Sequence, residues 1–166
     1  QRANFEETYT GNNFQGSYIA GVYYPDKTKV GWWKNGYPKY FAKVLNAPSW
    51  IGIKVVIDGV VLDLNTCKSV TDFKRELNMK EGWLSRSFKA TLSNEIQVSV
   101  KSLRFLSLVH EQIGAIRYEV TPLNRSACIS FEPFLDGNIK NKDSNWDDQF
   151  WEISAISSIE SSAFIE

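Results

Sequence analysis

Residues 50–64, WIGIKVVIDGVVLDL, contain the pattern that decides the fold. Isoleucine or valine recurs at every second position from 51 to 57, which is the period of a strand with one buried face. Asp58-Gly59 separates this run from VVLDL at 60–64, and an Asp-Gly pair between two apolar runs is a strong signal for a tight turn. The sequence therefore predicts a β-hairpin at this point.

Short apolar runs bounded by turn residues continue on both sides of this hairpin. The further predicted strands are SYIAGVYY at 17–24, closed by Pro25-Asp26, then VTDFKREL at 70–77, WLSRSFKATL at 83–92, EIQVSV at 95–100, 113–121, 127–131 and 150–153. A helix over 70–79 is an alternative, because apolar residues also fall at Val70, Phe73 and Leu77. We prefer a strand there because the neighbouring segments are strands.

One irregularity lies inside this pattern, at Lys101-Ser102. The apolar residues stand at even positions up to Val100 and at odd positions from Leu103 onward. Since the two faces of a strand alternate strictly, the shift predicts a β-bulge or a break in the strand. About eight short strands with little helical periodicity predict an all-β fold, an antiparallel β-sandwich.

Composition limits the classes of function. The chain has 166 residues, of which 43% are hydrophobic and 23% charged, as in one ordinary globular domain. Lys plus Arg and Asp plus Glu each number 19, and this neutrality argues against a nucleic-acid-binding protein. The sequence contains no membrane-spanning run and does not open with a signal peptide. We read Cys67 and Cys128 as thiols of a cytoplasmic protein.

A search for catalytic residues finds no constellation. His110 is the single histidine, and without cysteine or a second histidine nearby it predicts no metal site. The acidic residues Glu6-Glu7, Asp143 and Asp147-Asp148 are candidates for glycoside hydrolysis by composition alone. Adjacent acids on a strand point to opposite faces, and those in a polar loop are usually solvated. The sequence therefore predicts no catalytic residue, no metal and no cofactor in this chain.

The stretch from residue 16 to residue 53 is dense in aromatic rings. Its candidate contact residues are Trp32, Trp33, Lys34 and Tyr37, which offer flat rings beside hydrogen-bond donors. Such rings stack on sugars, or they pack a long loop onto a sheet or a partner domain. We favour packing, with carbohydrate binding as the alternative.

Several long strings in the chain resemble one enzyme family. They are RANFEETYTG, QGSYIAGVYYPDKTKVGWWKNGYPKYFAKVLNAPSWIGI, LNMKEGWLSRSF, RFLSL, GAIRYEVTPLN, FLDGNIKN and NWDDQFWE. Together they resemble the N-terminal region of maltose phosphorylases, in glycoside hydrolase family sixty-five, which also holds kojibiose and trehalose phosphorylases. The resemblance covers nearly the whole chain and weakens after Trp151.

This resemblance implies an architecture and a reaction. Family members have an N-terminal β-supersandwich of the galactose-mutarotase type, a linker, a catalytic (α/α)6 barrel and a small β domain. They cleave an α-linked disaccharide with inorganic phosphate and invert the anomeric centre, so that maltose yields β-glucose 1-phosphate and glucose. The general acid is a glutamate in the barrel, and phosphate is the nucleophile, so no metal is implied.

The same resemblance sets expectations for this chain. We expect residues 1–166 to be a non-catalytic N-terminal β-sandwich domain, truncated at both ends, in a parent enzyme that forms a homodimer. Its partner within the parent is the barrel of the same polypeptide, with a disaccharide and phosphate as the parent's substrates, and with neither nucleic acid nor membrane. The alternative is a stand-alone carbohydrate-binding module with an aromatic platform.

Overall fold

A computed structural model describes residues 16–28, 35–140 and 149–166, and these residues form an antiparallel all-β structure. The strands are β1 (Tyr23–Lys27), β2 (Tyr40–Val44), β3 (Ser49–Ile57), β4 (Val60–Val61), β5 (Ser69–Asn78), β6 (Trp83–Thr91), β7 (Gln97–Leu106), β8 (Gly114–Pro122), β9 (Ile129–Asp136), β10 (Ile156–Ile159) and β11 (Ser162–Ile165). The sheet orders are β1-β2, β10-β11, β4-β3-β9 and β5-β6-β7-β8. The prediction of an all-β antiparallel fold is confirmed.

The chain divides into two compact units. Among the described residues, the first unit holds 16–28, 35–52, 134–140 and 149–166, and the second holds 53–133. Strands β3 and β9 each begin in one unit and end in the other.

The predicted hairpin is present as strands β3 and β4. Asp58 and Gly59 have φ of 46° and 80°, so both central residues of the turn are left-handed, as a type I′ turn requires. Val56 pairs with Val61, and Ile57 pairs with Val60. Strand β4 is shorter than the predicted run at 60–64.

The prediction of two strands over 70–92 is also confirmed. Strands β5 and β6 pair in antiparallel register from Ser69 with Thr91 to Asn78 with Trp83, so the alternative helix over 70–79 is wrong. The register shifts between Thr71 and Lys74, where Asp72 has a φ of 55°. This bulge turns Phe73 inward against Phe88, with the ring centroids 6.0 Å apart.

The predicted bulge or break at Lys101-Ser102 is wrong. Strand β7 keeps its register through this point with both neighbours, Lys101 pairing with Ser87 and Glu119. The face that buries Val100 continues to Arg104, which is only 8% exposed, while Leu103 and Phe105 lie on the more exposed face. Beyond Val100, the core-facing side of the strand carries the polar residue Arg104, and the apolar residues stand on the other face. The strand itself stays regular because it is paired with a neighbour along both edges.

The core of the second unit lies between the β3–β4 hairpin and the four-stranded sheet. Its buried members are Val55, Ile57, Leu62, Leu64, Phe88, Ala90, Leu92, Ile96, Val98 and Val100. Two sheets that bury facing apolar residues form a sandwich. Burial of these side chains is the main source of stability in this unit.

Two predicted strands of the first unit are displaced along the chain. Strand β1 starts at Tyr23 instead of 17 and runs through Pro25, which pairs with Ala42. A proline is tolerated there because a two-stranded ribbon leaves one edge of each strand without a hydrogen-bonding partner. The predicted strand at 150–153 is wrong, and the hairpin β10–β11 follows it instead.

We predict that Gly52→Ala destabilises the first unit. A Cβ at Gly52 on β3 would lie 2.6 Å from Cε2 of Phe134 on β9, closer than a carbon atom tolerates. Overpacking of this kind costs about 1–3 kcal/mol of unfolding free energy. Urea unfolding of the wild type, Gly52→Ala, Phe134→Ala and the double variant measures it. Equal costs of Gly52→Ala in the two Phe134 backgrounds would contradict the steric explanation.

Candidate functional site

Of the four predicted contact residues, the structure describes only Tyr37. Trp32, Trp33 and Lys34 lie outside the described residues. Tyr37 is described, is 57% exposed, and follows Gly36, whose φ is 91°. Whether the four act together therefore stays a prediction.

The ribbon β1–β2 joins the two ends of the segment that carries these residues. Thr28 N donates to Lys39 O at 2.9 Å, and the Thr28 hydroxyl donates to Pro38 O. Lys27 pairs with Tyr40 directly beyond them. Thr28, Pro38 and Lys39 are therefore held together at this end of the ribbon.

The two faces of the ribbon differ. On one face, Tyr24, Asp26, Phe41 and Lys43 alternate along the strands, and Phe150 lies against them. The ring centroids of Tyr24 and Phe150 are 4.8 Å apart, and Lys43 Nζ lies 4.8 Å from the Phe150 centroid. Lys43 Nζ also contacts Asp26 Oδ2 at 2.8 Å. This face therefore packs in part on Phe150 within the first unit, while Tyr24 and Phe41 remain 45% and 37% exposed.

The opposite face is exposed and mostly apolar, and we call it the open face. It consists of Tyr23, Pro25, Lys27, Tyr40, Ala42 and Val44, which share one side by the strand register. Its two tyrosines are more than half exposed. Tyrosine is enriched at protein interfaces and also stacks on sugars, so the open face is suited to either contact. Sequence reasoning missed these residues, although the tyrosine density of the stretch was the available signal.

Asn46 fixes the segment that follows the ribbon. Its Oδ1 accepts from Ser17 N at 2.9 Å, its Nδ2 donates to Lys140 O at 3.2 Å, and its carbonyl accepts from Trp151 Nε1 at 2.7 Å. Asn46 is 5% exposed, so these bonds are shielded from water. Three separate stretches of the first unit are held together here. No pattern in the sequence marks this asparagine.

A shallow depression of about 440 Å³ lies on the four-stranded sheet of the second unit. Its lining residues include Ser85, Ser87, Lys101, Arg117 and Glu119. Arg117 Nε forms an ion pair with Glu119 Oε1. An open site with hydroxyls and mixed charges is suited to weak polar contacts and provides no enclosed acid–base pair.

The structure also locates some of the other residues that the sequence analysis considered. His110 is exposed in the β7–β8 connection, and Cys67 and Cys128 are not disulfide-bonded. Within 16–28, 35–140 and 149–166, no three His, Cys, Asp or Glu side chains gather as metal ligands. No helix in the described part is long and apolar enough to span a bilayer. The acidic candidates at 6–7, 143 and 147–148 lie outside it.

Comparison with known proteins identifies the family. Residues 1–165 match the family described as glycosyl hydrolase family 65, N-terminal domain. The chain is a member of that family. The resemblance drawn from the sequence strings is therefore confirmed, and with it the assignment of the chain as a family 65 N-terminal domain.

Curated relatives of this family 65 domain are phosphorylases. The chain is 50% identical to the maltose phosphorylase of Bacillus subtilis over 154 residues, which is 93% of the chain and 20% of that protein. It is 31% identical to the kojibiose phosphorylase of Thermoanaerobacter brockii, covering 84% of the chain and 16% of the relative. It is 32% identical to the alpha,alpha-trehalose phosphorylase of the same organism, covering 84% and 18%. The chain thus spans about a fifth of the length of these relatives.

We predict that the Asp26–Lys43 pair stabilises the ribbon of this family 65 domain. The side chains are only 23% and 10% exposed, so removing one partner leaves a charge poorly solvated. Lys43→Met should lower the unfolding free energy by about 1–3 kcal/mol. Thermal unfolding of Lys43→Met, Asp26→Asn and the double variant checks this. Lys54→Met, which breaks the exposed pair with Glu132, is the control and should cost under about 1 kcal/mol.

Proposed function

We propose that the chain is the non-catalytic N-terminal domain of an inverting disaccharide phosphorylase. In the parent enzyme, maltose and inorganic phosphate are converted into β-glucose 1-phosphate and glucose. The observation that supports this choice most is the identity of 50% over 93% of the chain to a maltose phosphorylase, against 31% and 32% to phosphorylases of kojibiose and trehalose. The difference favours maltose as the substrate.

Three of the described carboxylates are placed in a setting that does not suit catalysis. Glu132, Glu95 and Asp72 form ion pairs with Lys54, Lys68 and Lys89, and all six side chains are between 44% and 69% exposed. A general acid for glycosidic cleavage lies in a cleft that orients it toward the leaving oxygen and excludes water. These surface pairs lack that setting, which agrees with a general acid supplied by the barrel.

In the parent, the domain supports the catalytic barrel of the same polypeptide and the homodimer. The open face of the ribbon is the first candidate for such a contact, because Tyr23, Tyr40 and Val44 form an exposed aromatic and aliphatic surface. The connection bearing Trp32 and Trp33 adjoins it in sequence. A cytoplasmic location is part of the proposal, because Cys67 and Cys128 are unbridged in the structure.

The first test compares the parent polypeptide with the 166-residue chain. The parent should release glucose from maltose only when phosphate is present, and its kcat/KM for kojibiose and trehalose should be lower by about a hundredfold or more. The chain alone should give no turnover, because the reacting groups are assigned to the barrel. Phosphate-dependent cleavage of maltose by the purified chain would overturn the proposal, and a preference for kojibiose or trehalose would overturn the choice of substrate.

A second candidate, a carbohydrate-binding module, is favoured by exposed tyrosines that lie near the predicted platform in sequence. Tyr23, Tyr37 and Tyr40 are each more than half exposed. This alternative predicts saturable quenching of tryptophan fluorescence by maltose in the millimolar range, which Trp33→Ala abolishes. Trp83→Phe is the control, because Trp83 lies on the other unit. Our first proposal predicts no saturable change in any of the three proteins.

A further inference from the structure

Six apolar side chains at one end of the four-stranded sheet are each more than half exposed. They are Leu77, Met79, Leu106, Leu108, Val109 and Ile113, and we call them the tip surface. The exposed fraction reaches 93% for Leu108 and 85% for both Val109 and Met79. Single exposed apolar residues are normal on any protein, whereas a concentration of them at one place marks a contact surface.

The strand register brings these residues to the same end of the sheet. Trp83, the first residue of β6, pairs with Phe105 near the end of β7. The connection 79–82 between β5 and β6 therefore leaves the sheet beside the connection 107–113 between β7 and β8. Two neighbouring hairpin ends thus form the tip surface.

The connection between β7 and β8 is held by its own hydrogen bonds. Ser107 Oγ accepts from Val109 N at 3.3 Å and from His110 N at 2.9 Å. Ile113 N donates to His110 O at 2.9 Å, and Ser107 N donates to Ile113 O at 2.9 Å. The backbone is therefore ordered around polar groups while the side chains of Leu108 and Val109 point into solvent.

The neighbouring connection is built in the same way. Asn78 Oδ1 accepts from Lys80 N at 3.1 Å and from Glu81 N at 3.0 Å, and Gly82 N donates to Asn78 O at 2.8 Å. Trp83 Nε1 donates to Glu81 Oε2 at 2.7 Å. Order in both connections means that little conformational entropy is lost when a partner covers the exposed side chains.

We propose that the remaining polypeptide of the parent enzyme covers the tip surface. This inference rests on the proposed function, in which the chain is one domain of a longer enzyme. The matched part is only 20% of the Bacillus subtilis relative, so most of such a polypeptide lies outside it and is available to cover the surface. The contact is apolar, and its residues belong to the second unit, whereas those of the open face belong to the first.

The size of the tip surface favours the same polypeptide over a second copy. A stable contact between separate proteins takes about 20–30 residues from each side, whereas the connections 79–82 and 107–113 together with Leu77 and Leu106 offer 13 residues. Within one chain the partner surface is present at high effective concentration, so a small apolar patch is sufficient. Burial of a leucine and a valine side chain contributes favourable free energy to such docking.

The test measures the accessibility of the tip in the full-length parent. Leu108→Cys is introduced into the parent after Cys67→Ser, Cys128→Ser and replacement of any cysteines outside these residues. The rate of maleimide labelling is then compared between native and guanidinium-unfolded protein. We expect labelling of the native parent to be at least about tenfold slower, because covered thiols react only through local opening. Val109→Cys provides a second, independent position.

Two outcomes would overturn the proposal. Labelling of native and unfolded parent at similar rates would show that the tip surface stays exposed. Protection that disappears on dilution, as subunits separate, would assign the surface to a second copy. Phosphorolysis of maltose is assayed on the same samples and on the unsubstituted parent. A protected thiol together with an unsubstituted parent that does not cleave maltose would reject the proposed reaction and leave the docking within a longer polypeptide standing.

Discussion

The turn at Asp58-Gly59 is the constraint on which the described structure of the second unit depends. Its left-handed backbone reverses the chain so that β3 and β4 pair, and Asp58 also bonds to the residue before β9. Asp58 N donates to Cys128 O at 2.9 Å, and its carboxylate accepts from Cys128 N at 2.8 Å. Asp58 thus fixes both the turn of the β3–β4 hairpin and the start of β9, the other neighbour of β3 in its sheet. The buried residues of β3 are then presented to the four-stranded sheet as one face.

Along β7, the core-facing side changes from apolar to polar residues. Val98 and Val100 are fully buried, whereas Arg104 further along the same face is a buried polar residue. The end of the sheet beyond Arg104 carries the tip surface, and its apolar residues lie outside the core.

In the first unit, one face of the ribbon packs on Phe150 and the other is open. Each unit therefore has buried apolar residues and, on other faces, an exposed apolar surface.

Prediction from sequence succeeded where a local pattern and a local turn agree. The Asp58-Gly59 hairpin and the strands over 70–92 have alternating residues bounded by turn residues, and both are present. It failed at Lys101-Ser102, because alternation reports the polarity of a face and does not report whether hydrogen bonding is interrupted. It failed at 150–153, because Phe150 and Trp151 are used for contacts with Lys43 and Asn46 instead of strand pairing.

The sequence by itself determined the all-β class, the family and the absence of any recognisable catalytic motif, because these follow from periodicity and from long matching strings. Tertiary structure alone decided which aromatic side chains pack on one another. Tyr23 and Tyr24 are neighbours of the same type, yet only Tyr24 packs on Phe150. The choice depends on the face that each residue takes in the ribbon and on a segment more than a hundred residues away in the chain. Long-range contacts of this kind leave no local signal in the sequence.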